Sequence, residues 1–124
     1  MPVKRSLVSV VDDDESVRES LPDLLRELGY AVRAFSSAEE FLASDSIDET
    51  SCLILDVAMP GMTGPDLQRN LNLRGHGLPI VFITANRDET VCTRALECGA
   101  VAFLFKPFSD TALLEALDKA LRVR

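Results

Sequence analysis

The 124 residues include no tryptophan, one tyrosine, one histidine and three cysteines. The single histidine, His76 in the stretch RGHG, leaves histidine-based catalysis and zinc binding little to build on. Cys52, Cys92 and Cys98 are odd in number and lack metal-ligand spacing. They are expected to be small core residues, Cys52 in a strand and the other two in a helix. No apolar run approaches the roughly 20 residues that span a bilayer, and no charged-then-apolar leader opens the chain. A cytoplasmic protein with no membrane association is therefore expected. Positive charge is scarce as well: 13 Lys and Arg stand against 20 Asp and Glu, for a net charge of −7. Without a basic stripe interleaved with aromatics, direct nucleic-acid contact by this chain is not expected.

What remains is ordinary for one globular domain over residues 1–124, with 47% hydrophobic and 27% charged residues. The apolar runs SLVSVV (6–11), AVRAF (31–35), CLIL ending at Asp56, IVFIT (80–84) and AFLF (102–105) read as five strands. Between them lie helical patterns. Val17, Leu21, Leu24, Leu25 and Leu28 share one helical face, with Ser16 and Glu19 at capping-box spacing and Gly29 as the stop. Pro22 falls inside that pattern, which predicts a kink or a late helix start. One of Ser36 and Ser37 caps a short second helix, Pro65 opens a third, and Gly99 stops a fourth carrying Val91, Ala95 and Leu96 on one face. Asp110 is expected to cap the fifth, with Leu113, Leu114, Leu117 and Leu121 facing inward. Continuous apolar strands alternating with helices indicate an α/β fold, a parallel sheet covered by helices on both faces.

Four strands end at chemically useful groups: Asp12 and Asp13, Asp56, Thr84, and Lys106. In a parallel sheet all C-terminal strand ends share one edge, so these residues meet in one crevice without further assumption. The carboxylates suit a hydrated Mg²⁺, Lys106 answers their charge or a phosphate's, and Thr84 offers a hydroxyl. Two like charges about 4 Å apart repel by roughly 4 kcal/mol at an effective dielectric of 20. Three carboxylates facing one lysine should therefore bind a divalent ion or take up a proton.

VVDDDESVRESL, LILDVAMPGMTGPDL, IVFITA and FLFKPF, in this order and spacing, resemble the receiver domain of bacterial response regulators. FSSAEEFL and GAVAFLFKPF narrow the resemblance to the FixJ type. It implies a flavodoxin-like doubly wound (βα)5 fold with strand order 2-1-3-4-5. It also implies that Asp56 is a phosphoacceptor taking its phosphoryl group from a sensor histidine kinase. Asp13, Asp56 and the backbone carbonyl of Ala58 would bind Mg²⁺ (or Mn²⁺) directly, and Asp12 through water. Lys106 would pair with Asp56 or the phosphoryl oxygens, aimed into the site by a cis bond to Pro107, and Thr84 would donate to the phosphoryl group. Thr84 and Phe103 would form the switch, remodelling the face of the fourth helix, fifth strand and fifth helix, through which the domain changes partner or forms a homodimer. The output would be transcription through a helix-turn-helix domain beyond this segment; a stand-alone receiver acting by protein–protein contact is the alternative. Catalysis would be confined to the chain's own phosphoryl transfer and dephosphorylation. A Mg-dependent aspartyl phosphatase would need an acid two residues after Asp56, where Ala58 stands. A flavin or nucleotide carrier would need a phosphate cradle where the sequence has DDDE.

Overall fold

The computed structural model describes residues 6–122. Five strands, β1 (Leu7–Val11), β2 (Ala31–Phe35), β3 (Thr50–Asp56), β4 (Ile80–Thr84) and β5 (Ala102–Phe105), alternate with five helices. These are α1 (Glu15–Glu27), α2 (Ala38–Ala43), α3 (Gly64–Leu73), α4 (Glu89–Glu97) and α5 (Asp110–Arg122). All strand pairs are parallel, as the apolar strands suggest, and the order is β2-β1-β3-β4-β5, the doubly wound topology that the family resemblance implies. The order reverses between β1 and β3, which places the crevice outside their C-terminal ends.

The inner strands are apolar along most of their length because each feeds two cores. Leu53, Leu55 and Phe82 pack with Phe41, Leu67 and Leu71 on the α2–α4 side. Val8, Val10, Cys52, Ile54, Val81 and Ile83 pack with Leu21, Leu25, Leu113 and Leu117 of α1 and α5 on the other. The edge strand β5 is only half-buried. β3 begins at Thr50, earlier than the apolar run suggests, because the Thr50 hydroxyl finds partners in Ser9 of β1 and Ser46 of the preceding loop. Thr50 Oγ1 donates to the Ser46 carbonyl at 2.6 Å, so Ser9, 2.7 Å away, must donate to Thr50.

Several local expectations need correction. α1 is capped by Asp14, whose carboxylate accepts from the Ser16 N–H, so Ser16 lies inside the helix rather than at its cap. Glu15 opens that helix and it runs through Pro22, which excludes the late start. Ser109 accepts from the Ala112 N–H and caps α5 in place of Asp110. Leu96 and Leu114 are exposed, and so is Cys98, which ends α4 and is no core residue. In α5 the small Ala116 and Ala120, not Leu114, complete the buried stripe beside Leu113 and Leu117. Cys52 does lie in the core, where burial pushes its thiol up to about 12. Among the described residues no helix is long and apolar enough to cross a membrane.

Candidate functional site

A cleft of about 330 Å³ at the C-terminal edge of the sheet is lined by Asp12, Asp13, Asp14, Asp56, Ala58, Thr84, Asn86 and Lys106. Topology assembles it: residues up to 94 positions apart meet because β1, β3, β4 and β5 end on one edge. Carboxylate oxygens of Asp12, Asp13 and Asp56 lie within 4.8 Å of one another, a spacing one cation can bridge. Asp12 and Asp56 are buried and Asp13 is exposed.

Asp12 is the most constrained group in the cleft. Its N–H donates to the Phe35 carbonyl at 3.1 Å, and its Oδ1 accepts from the Asp14 N–H at 2.9 Å. Its Oδ2 pairs with Lys106 Nζ at 2.9 Å, and its carbonyl accepts from Arg18 Nη1 at 3.0 Å. Lys106 Nζ reaches Asp56 Oδ1 at 3.7 Å, so the lysine serves Asp12 first and Asp56 second. Burial disfavours the lysine's charge, but the Asp12 hydrogen bond and the charges of Asp12, Asp56 and Asp14 outweigh it and raise its pKa. The Lys106–Pro107 peptide is cis.

Burial, then the neighbouring Asp12 charge, push the Asp56 carboxyl up to about 7 against the pull of Lys106. This is the under-compensated charge anticipated from the sequence: without a further cation, Asp56 holds a proton near neutrality. Those carboxylates are hard oxygen donors open to the cleft on one side, a donor set that fits a small divalent cation. Thr84 is buried and its Oγ1 accepts from the Asn86 N–H at 3.1 Å, which leaves the hydroxyl proton to donate into the cleft. Phe103 is half-buried, 5.7 Å from Phe82 in a stacked arrangement and 5.6 Å from Phe105. Arg87, from the loop after β4, covers the outer Phe105 ring at 4.7 Å.

The loop after Asp56 is held from both sides. Gly64 opens α3 so close to the Asp56 carbonyl that a Cβ would overlap it, and its N–H donates to Val57 at 3.0 Å. Thr63 and Asp66 form a capping box there. Glu39 of α2 accepts from the Met62 N–H at 3.2 Å. Sequence reasoning did not single out Arg18, Glu39 or Gly64 as part of the site. Arg18 carried one signal, being a cation in the first turn of a helix, where the macrodipole favours anions.

With this geometry in view, residues 8–118 match the response regulator receiver domain model, and the chain belongs to that family, the receiving half of two-component regulation. Its type is that of FixJ. It is 48% identical over 116 residues to Nodulation protein W of Bradyrhizobium diazoefficiens, covering 94% of this chain and 51% of the relative. It is 41% identical over 113 residues to the transcriptional regulatory protein FixJ of Rhizobium meliloti, covering 91% and 55%. The crystal structure of FixJ-N superposes with a TM-score of 0.87 at 37% identity, covering 98% of both chains. The chain thus spans about half the length of the curated relatives it matches. Receivers of this family work with histidine kinases.

Proposed function

We propose that residues 1–124 form the phosphoacceptor domain of a cytoplasmic two-component pathway, with Asp56 receiving a phosphoryl group from the phosphohistidine of a sensor kinase. The observation that carries this reading is the convergence of Asp12, Asp13, Asp56, Thr84 and Lys106 on one cleft. An Asp56 oxygen attacks phosphorus, the P–N bond to the donor imidazole breaks, and an acyl phosphate forms on Asp56. Asp13, Asp56 and the Ala58 carbonyl would hold Mg²⁺ or Mn²⁺, with Asp12 acting through water. The bound ion supplies positive charge against the phosphoryl oxygens, and positioning with charge neutralisation is most of what such transfer needs. Lys106, 3.7 Å from Asp56, balances the acceptor and then the phosphoryl group, while the Thr84 hydroxyl donates to it. The chain acts as a catalyst only in gaining and losing its own phosphoryl group.

The new group adds about −1.5 to −2 charge beside β3 and β4. Movement of Thr84 toward it, with Phe103 turning into the space, couples the cleft to the α4–β5–α5 face. Leu96 and Leu114, 44% and 40% exposed on α4 and α5, suit that face to a homodimer. The transcriptional regulator FixJ carries about as much chain again, which supports transcription through a helix-turn-helix partner domain as the output.

The test is incubation with acetyl phosphate and Mg²⁺ followed by intact mass. One phosphoryl group is expected on the wild type, and none on Asp56→Asn or with the metal chelated. A phosphorylated Asp56→Asn protein would place the acceptor elsewhere. Analytical ultracentrifugation should show self-association on modification and its loss in Lys106→Ala; an unchanged monomer would remove the dimer from the account.

A further inference from the structure

Every hydrogen-bonding group of Asp12 is engaged, whereas the adjacent Asp13 is exposed and its carboxylate accepts no backbone hydrogen bond among the described residues. The direction in which Asp13 leaves the chain is set by the peptide plane it shares with Asp12. The oxygen of that peptide is the Asp12 carbonyl, and Arg18 Nη1 holds it at 3.0 Å. Arg18 is the fourth residue of α1, half-buried, and forms no ion pair among the described residues. A cation in the first turn opposes the helix dipole, so its placement there costs stability unless the contact it makes returns some. The contact it makes is this one, to a carbonyl carried by a turn of three consecutive aspartates.

We propose that Arg18 is a positioning residue: by clamping the Asp12–Asp13 peptide it aims the Asp13 carboxylate at Asp56 and so completes the divalent-cation site. The inference rests on the cation-binding reading given under Proposed function. It deepens that reading, because it assigns the geometry of the exposed carboxylate ligand to a side chain outside the proposed ligand set.

Electrostatics alone predicts the opposite sign. Removing a positive charge beside a cation site relieves repulsion and should tighten Mg²⁺ binding. Removing a clamp that orients a ligand should weaken it, and partners of this kind typically carry about 10- to 100-fold in metal affinity. The experiment is an Mg²⁺ titration of the non-phosphorylated protein, read by the amide NMR shifts of Asp13, Asp14 and Asp56, at a temperature where circular dichroism shows each variant folded. Arg18→Met, which keeps the apolar stem and loses every N–H, is expected to bind Mg²⁺ about 10-fold more weakly. Arg18→Lys, which keeps a donor and the charge, should recover part of the loss. Acetyl phosphate labelling of Arg18→Met should be slow at limiting Mg²⁺ and return to near the wild-type rate at saturation. Should Arg18→Met fail to fold, Arg18→Leu, which also lacks any side-chain N–H, gives the same comparison. Unchanged or tighter Mg²⁺ binding without the guanidinium, or a loss that lysine leaves wholly unrepaired, overturns the proposal. A wild-type protein that binds no Mg²⁺ would instead overturn the cation-binding reading itself.

Discussion

Replacing Asp56 by Asn should stabilise the metal-free protein, and only above mildly acidic pH. Burial and the Asp12 charge raise the Asp56 carboxyl from 3.8 to about 7 in the folded state. Between those values the folded protein holds a proton that the unfolded chain has released. Unfolding free energy therefore falls as pH rises through this window, and above it the native state carries the full cost of the buried anion. At 1.36 kcal/mol per pH unit the cost is about 4 kcal/mol, and solvent entering the open cleft reduces it to roughly 2 kcal/mol. Asparagine keeps the shape and never ionises. In EDTA at pH 8, Asp56→Asn should melt about 6–10 °C above the wild type, given about 4 °C per kcal/mol for a domain of this size. At pH 4 the two should melt within about 2 °C. Adding Mg²⁺ at pH 8 should narrow the gap, because bound cation stabilises the wild-type carboxylate. Thermal unfolding by circular dichroism reads all three conditions. Equal melting at pH 8, or the same gain at both pH values, would refute the argument that an under-compensated carboxylate strains the fold.

Lys106→Met removes the partner of the fully buried Asp12 carboxylate and should cost about 3 kcal/mol at neutral pH in urea unfolding, more than the median surface pair; a loss under about 0.5 kcal/mol would show Asp12 compensated elsewhere. Gly64→Ala puts a methyl group against the Asp56 carbonyl and the Phe82 ring, so it should lower stability by about 1–3 kcal/mol and slow acetyl phosphate labelling as well; wild-type values in both assays would mean the loop shifts freely. Leu117→Ala opens a cavity in the α1–α5 core and should cost about 2–5 kcal/mol while leaving Mg²⁺ affinity unchanged in the folded protein; weaker Mg²⁺ binding there would show that the cleft depends on distant packing.

The fold was legible because parallel strands leave a strong mark: Leu53–Leu55 and Ile80–Ile83 are apolar at every position, as only a strand buried on both faces can be. The site was legible for the same reason, since a polar residue closing such a run must sit at the sheet's edge. The misses have local causes. Ser16 and Asp110 compete as caps with Asp14 and Ser109 a position or two away, and side-chain geometry, not residue type, decides between them. Leu96 and Leu114 fit the helical period yet lie at the rim of their stripes, where Ala95 and Ala116 already fill the space beside the sheet. Arg18 and Glu39 act through backbone groups, and contacts to a carbonyl or an N–H leave no complementary residue in the sequence to reveal them. Lys106 joins Asp12 more closely than Asp56 because the two carboxylates, indistinguishable in one dimension, face it at 2.9 and 3.7 Å.

In the proposed reaction the cleft's carboxylates act together so that one of them carries a phosphoryl group. Reducing the acetyl phosphate-treated protein with borohydride converts a phosphorylated aspartate to homoserine, and peptide mass spectrometry then locates it. Homoserine at position 56, formed only with Mg²⁺ present, is the predicted result; homoserine at Asp12 or Asp13, or at no position, would contradict it.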